Sequence, residues 1–256
     1  MTTYPQKVAL VTGAAKRIGK TIALALAGQG WDIVVHYGQS RDEALQTVCE
    51  IEALGRRAAA VQCDLTNPAA VAGLFAQASA ALPGTLACVV NNASLFDFDS
   101  AMDFSPNKLD LHMHANLAAP IMLAQALHAA TADGEQAVVI NLLDQKLFNM
   151  NPDFLSYTLS KAALQTATVM LAQALAPKLR VVGIAPGITL VSGDQTEAEF
   201  MKAHRTTPLG RSSLPEDIAA TVCFLVASPA ITGTTLIVDG GQHLIPLHRD
   251  VMFLAK

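Results

Sequence analysis

Tyr157 and Lys161 stand four residues apart in a segment of helical periodicity, and Asp144 lies upstream at the end of a strand-like run. Residues at that spacing share a helix face. A phenol beside an ammonium is easier to ionise, because the positive charge stabilises phenolate. Tyrosine starts at about 10, so such help brings it toward acid–base work at neutral pH. A carboxyl at the same place supplies a second titratable group. The trio has the makings of a proton-transfer site, provided the chain builds elements that bring it together.

Strand-like and helix-like runs alternate along the 256 residues. Strands are expected over 8–12, 31–37, 58–63, 86–90, 138–143, 179–184 and 235–238. Helices are expected over 17–28, 41–54, 68 to about 82, 107 to about 131, 154–176 and 215–226, with Pro68 suited to a first helical turn. A loop of Phe, Asp and Ser residues fills 94–105. The segment 188–213 is polar and too long for an ordinary connection, as substrate lids often are. The alternation implies an α/β fold, a doubly wound parallel sheet of about seven strands with helices on both faces. No linker, repeat or low-complexity tract interrupts it, so 1–256 reads as one domain.

Composition narrows the function classes. Hydrophobic residues make up 52% and charged residues 15%, which excludes a disordered chain. The low charge hints at apolar surface covered by other subunits. The net charge of −4 lacks the basic footprint of a nucleic-acid binder. No signal peptide or membrane-length apolar run is present, so a cytoplasmic location is expected. Cys49, Cys63, Cys88 and Cys223 form no Cys-x-x-Cys pair and read as buried reduced thiols. His112 and His114 fall on different helix faces and read as solvated or interface residues. The histidines show no ligand spacing, and no metal is expected; His243 and His248 stay unassigned.

In such a sheet, ligands bind beyond the carboxyl ends of the strands, at the switch point. The first end reads Thr12-Gly13-Ala14-Ala15-Lys16-Arg17-Ile18-Gly19. Gly13 permits a tight turn, and the helix after it offers free N–H groups to a phosphate. Arg17 stands where the dinucleotide fingerprint has its middle glycine. The second end, His36-Tyr37-Gly38-Gln39-Ser40-Arg41, has no acidic residue for a ribose 2′-hydroxyl. Lys16, Arg17 and Arg41 supply positive charge, and Gln39 and Ser40 hydrogen bonds, so a 2′-phosphate and NADP(H) are favoured; Arg41 is otherwise a solvated helix-start residue. Asp64, before Leu65, either accepts from an adenine amino group or caps its turn. Asn92, Ala93 and Ser94 let a cofactor ribose approach the fourth end. Asn116, among Ala and Leu, reads as a polar surface residue.

Thr12–Gly19, Asn91-Asn92-Ala93, Asn116, Tyr157-x-x-x-Lys161, Pro186-Gly187 and Asp239-Gly240-Gly241, in this order, resemble the short-chain dehydrogenase/reductase family along nearly the full chain. The resemblance implies a Rossmann-type fold and a homotetramer built on the two long helices. It makes Tyr157 the proton donor. Lys161 would bind the nicotinamide ribose and lower the Tyr157 pKa. Asn116 would bend its helix and hold a water of the proton relay. Ile18, Pro186 and Gly187 would line the cofactor site.

Asp144 departs from the family pattern, which usually has a serine there to hydrogen-bond a substrate carbonyl. A carboxylate cannot donate unless protonated, and it repels a developing alkoxide. It suits an N–H-rich substrate, or a proton shared with Tyr157 while an imine nitrogen is reduced. Asp at this place is similar to the pteridine reductase subgroup. His36-Tyr37-x-x-Ser40 resembles that subgroup's 2′-phosphate pocket, with Gln39 in place of the usual arginine. Asn92–Phe96 resembles the segment whose aromatic ring stacks on a pterin. Ser94 would touch cofactor phosphate or substrate, Arg17 the diphosphate and pterin edge; Phe96 would sandwich the pterin or else pack on the lid. The expectation is an NADPH-dependent reductase acting on a ring C=N of a pterin or dihydrofolate. The rivals are an NADPH-dependent ketoreductase of a 3-oxoacyl or small carbonyl substrate, and a nucleotide-sensing protein without turnover.

Overall fold

The structure is a computed structural model and describes residues 7–191, 195–250 and 253. Seven strands make one parallel sheet: β1 (Lys7–Val11), β2 (Asp32–Tyr37), β3 (Ala58–Gln62), β4 (Thr85–Asn91), β5 (Ala137–Leu142), β6 (Leu179–Pro186) and β7 (Thr235–Val238). Their order across the sheet is β3-β2-β1-β4-β5-β6-β7. The chain winds outward from β1 to β3, then returns to lay β4 on the other side of β1. The carboxyl ends of β1 and β4 therefore flank the switch-point crevice.

The helices are α1 (Arg17–Gly28), α2 (Arg41–Ala53), α3 (Pro68–Ala81), α4 (Pro106–Met113), α5 (Ala119–Ala130), α6 (Leu155–Ala174), α7 (Glu197–Arg205) and α8 (Pro215–Ala227). Side chains alternate across a strand. Ala9, Val11, Ile33 and Val35 thus join the core under α1 and α8, with Ile22, Leu26, Ile218 and Val222. Val8, Leu10 and Val34 join the opposite core under α3 and α5, with Leu74, Leu123 and Leu127. The inner strands are buried on both faces, which is why they read as near-continuous apolar runs, while the edge strands β3 and β7 are only partly buried.

Two elements add detail to the expected pattern. The long helix over 107–131 is α4 and α5 joined by a π turn, His114–Ala118, with Asn116 at its centre, where the resemblance implied a bend; π turns of this kind often mark functional sites. The segment 188–213 holds α7, started by a capping box in which Thr196 and Glu199 satisfy each other's backbone N–H. Among the described residues no helix is long and apolar enough to cross a membrane.

Candidate active site

The turn after β1 is pinned from beneath. Gly13 has φ +63, and its N–H donates to His36 Nδ1 at 3.1 Å. The other ring nitrogen lies 3.1 Å from Cys63 O, so Nε2 carries the proton and Nδ1 accepts. Burial pushes the His36 imidazole down to about 4. Asn92 Nδ2 donates to Thr12 O at 2.9 Å and Gly13 O at 3.2 Å, stitching the end of β4 to the turn. Gly19 closes it: a Cβ there would stand 2.2 Å from Gly13 O. Arg17 takes the left-handed conformation, φ 57, at a cost of about 1–2 kcal/mol for an L-residue. Its guanidinium donates to Val191 O at 2.9 Å.

This turn, Tyr37, Ser40 and Ala93 border a shallow cleft of about 350 Å³. Four residues expected at a cofactor border neither this cleft nor the one that adjoins it. His36 lies under the turn and positions it. Gln39 is exposed and not part of the cleft wall. Asp64 Oδ1 accepts from Thr66 N at 2.9 Å and Thr66 Oγ1 at 2.7 Å, which is the turn-capping reading. Leu65 packs into the core beneath α3.

A deeper cleft of about 440 Å³ adjoins it, with Asp144, Tyr157 and Lys161 in its wall. Buried Asp99 anchors the start of α6 by accepting from Ser156 N–H at 2.9 Å and from the Ser156 hydroxyl. One turn apart on that helix, Tyr157 and Lys161 face the end of β5. Tyr157 Oη donates to Asp144 Oδ2 at 2.7 Å. Lys161 Nζ donates to Leu142 O at 2.6 Å and stands 5.8 Å from the tyrosine ring centroid. Tyr157 and Lys161 are buried and Asp144 is half-buried beside them, with consequences that helical spacing does not announce. Burial, then Asp144, hold the Tyr157 phenol well above its ordinary pKa. Burial raises Asp144 as well, and pushes Lys161 down to about 8. The carboxylate, not the lysine, dominates the phenol's surroundings, so the expectation of a lowered tyrosine is corrected.

Asn116 is also corrected: it is 1% exposed rather than on the surface. Its Oδ1 accepts from Leu95 N at 2.8 Å, and its Nδ2 donates to Leu95 O and Ser160 Oγ, each at 3.0 Å. The side chain clamps the segment carrying Ser94 and Phe96 against α6. Phe96 lines the deep cleft. Its ring stacks on Phe154 at 4.3 Å and meets Tyr157 edge-on at 4.6 Å. Ser94, Arg17, Ile18, Pro186 and Gly187 also line the deep cleft, and Ser94 Oγ lies 3.3 Å from Asn116 Oδ1.

The chain matches a family model described as enoyl-(acyl carrier protein) reductase over residues 13–243. It belongs to the short-chain dehydrogenase/reductase family. Among solved structures it is similar to FolM alternative dihydrofolate reductase 1 from Brucella canis, complexed with NADP. The identity is 38% and the TM-score 0.87, over 94% of this chain and 95% of that one. Pteridine reductase 1 from Leishmania tarentolae is 32% identical, over 95% of this chain and 99% of its own length. The 3-oxoacyl-(acyl-carrier-protein) reductase of Synechocystis sp. is also 32% identical, over 94% and 99%.

This short-chain dehydrogenase/reductase adds charged residues to its cleft that no motif announced. Lys146 is 2% exposed; its Nζ donates to Asp153 O at 2.5 Å and lies 3.4 Å from Asp250 Oδ2. Arg249 Nε holds both Asp153 oxygens, at 3.0 and 2.9 Å, which brings Asp250 into the cleft wall. Elsewhere, His112 is fully buried, not solvated, bridging Lys108 O and Asp97 N–H. Cys49 is exposed while the other three cysteines are buried. Among the described residues no cluster of three or more His, Cys, Asp or Glu could hold a metal ion.

Proposed function

We propose that this protein is an NADPH-dependent reductase that adds hydrogen across a ring C=N bond of a pterin or dihydrofolate-type substrate. The observation that carries the reading is the 2.7 Å hydrogen bond from Tyr157 to Asp144 inside the cleft. NADPH, when bound, supplies the hydride. The residues fit it: the turn from Gly13 to Gly19 leaves no space for a Cβ at Gly19, and it opens α1, whose free N–H groups suit a diphosphate. Arg17, Tyr37, Ser40, Ala93 and Lys161 surround the path from that turn to Tyr157. The solved Brucella relative complexed with NADP supports the same cofactor.

The proton belongs to the Asp144–Tyr157 pair. A phenol held above its ordinary range is a poor acid by itself, and a phenolate beside a carboxylate is costly. A carboxyl raised by burial can store the proton instead. Tyr157 Oη then gives its proton to the substrate nitrogen and takes the one from Asp144, so the pair ends as phenol and carboxylate. Lys161, fixed to Leu142 O, keeps positive charge beside that carboxylate. Residues 188–213 act as a lid, tied to the cofactor turn through Arg17 and Val191 O.

The similarity to a 3-oxoacyl reductase favours a second reading, ketone reduction. Asp144 opposes it, since passing its proton through Tyr157 leaves a carboxylate beside the developing alkoxide, where a serine would go on donating. The test is NADPH consumption against a panel of dihydropterin, dihydrofolate and ketones. Turnover of the ketones alone rejects the pterin reading; NADPH binding with no turnover on the panel points to the sensing role.

A further inference from the structure

Two amides in the deep cleft play no part in the chemistry above. Gln145 opens the 3-10 turn Gln145–Phe148, directly after Asp144, and Asp144 Oδ1 fixes that turn by accepting from Lys146 N at 2.8 Å. Gln195 stands immediately before Thr196, whose capping box starts α7. Both backbones are therefore held, and both side chains line the cleft at 9% exposure.

Gln145 Oε1, Gln195 Oε1 and Gln195 Nε2 are buried with no hydrogen-bond partner. Among the described residues the other buried side-chain atoms in that condition are Arg56 Nε, Asn91 Oδ1 and Thr207 Oγ1, and none of those residues lines this cleft. Buried polar groups are ordinarily paired, and each exception calls for a reason. Here half of the exceptions lie at one cleft, beside the proton-transfer pair. The terminal torsion of glutamine is broad, so either amide can turn toward a bound molecule without leaving its place.

We propose that Gln145 and Gln195 are specificity-determining residues that hydrogen-bond the substrate, which carries both N–H or O–H donors and an acceptor near its reacting bond. The donors answer the two Oε1 atoms and the acceptor answers Nε2. An amino-lactam heteroaromatic ring has both kinds of group on its edges. A 3-oxoacyl chain presents only acceptors near its keto carbon and leaves both Oε1 atoms unpaired. Sites built to hydrogen-bond a substrate reject analogues lacking the partner. The inference rests on the pterin reading and specifies what recognises that ring.

The test uses Gln145→Met and Gln195→Met, which keep the bulk and remove the hydrogen bonds. Without any substrate, Tm is expected to equal or exceed that of the wild type, because an unpaired buried amide is replaced by an apolar group. With dihydropterin, KM is expected to rise about tenfold in each variant, the size of one lost hydrogen bond. The NADPH KM stays constant and kcat holds within about twofold, as for lost uniform binding. An unchanged substrate KM overturns the proposal. So does a fall in Tm of several degrees, which would show the amides paired within the fold. A wild type inactive on dihydropterin but active on another substrate rejects the pterin reading alone; the KM ratios on that substrate then decide the role of the glutamines.

Discussion

Replacing Asp144 with asparagine keeps the side-chain shape and removes the ionisable group. In the wild type Tyr157 Oη lies 2.7 Å from Asp144 Oδ2; ionising both would set two negative charges at that distance, a repulsion of about 6 kcal/mol at an effective dielectric of about 20. Burial acts on the phenol in the same direction. In Asp144→Asn the repulsion is gone while the amide oxygen still accepts, so Tyr157 is expected to ionise at a lower pH than in the wild type. The chain has three tyrosines and one tryptophan, so tyrosinate absorbance during a pH titration resolves the change, with Asp144→Asn/Tyr157→Phe as the subtraction control. The same variant has lost the proton store, and turnover of dihydropterin is expected to fall by roughly 10²–10⁴, the usual range for general acid catalysis. A tyrosinate titration identical in wild type and Asp144→Asn would refute the electrostatic coupling. Undiminished turnover would refute Asp144 as the proton's source.

Three further outcomes follow from named contacts. His36 is neutral in the fold down to about 4 against an ordinary 6.5, so the unfolded chain binds more protons between those values. Stability is therefore lost as pH falls through that window, by roughly 3 kcal/mol; urea unfolding should show the loss in wild type and not in His36→Asn. Arg17→Gly removes left-handed strain of about 1–2 kcal/mol and adds a chain-entropy cost of about 0.5–1 kcal/mol. It should leave stability within about 1 kcal/mol of wild type while raising substrate KM, and a much larger loss in urea unfolding would contradict this. Lys161, brought down to about 8 by burial, loses its charge as pH rises through that value. NADPH affinity, followed by fluorescence, should weaken there in wild type, and Lys161→Met should lack the step.

The frame of the site was legible because it depends on local pattern. Both-face burial makes the inner strands near-continuous apolar runs, so their ends, and the residues Gly13, Asn92 and Asp144 that follow them, could be placed from the sequence. Tyr157 and Lys161 needed only helical spacing. The parts that were not legible depend on long-range contacts. Asn116 read as a surface residue because nothing local announces that Leu95 and Ser160 fold over it. Asp250 reaches the cleft through Lys146, 104 residues away. The raised Tyr157 pKa follows from burial beside Asp144, which spacing to Lys161 alone could not weigh against the lysine's charge. The capping box Thr196-x-x-Glu199 was a visible signal for α7 inside the polar segment, and it identifies the missed helix from sequence alone.

The central claim is that Asp144 directs this cleft to a ring C=N rather than a ketone. The measurement that tests it most directly is NADPH oxidation by wild type and Asp144→Ser, side by side, with dihydropterin and with a 3-oxoacyl ketone. Wild type is expected to turn over the dihydropterin and to be poor on the ketone, and Asp144→Ser to reverse the order. A wild type that prefers the ketone, or an Asp144→Ser variant that keeps full dihydropterin turnover, would contradict it.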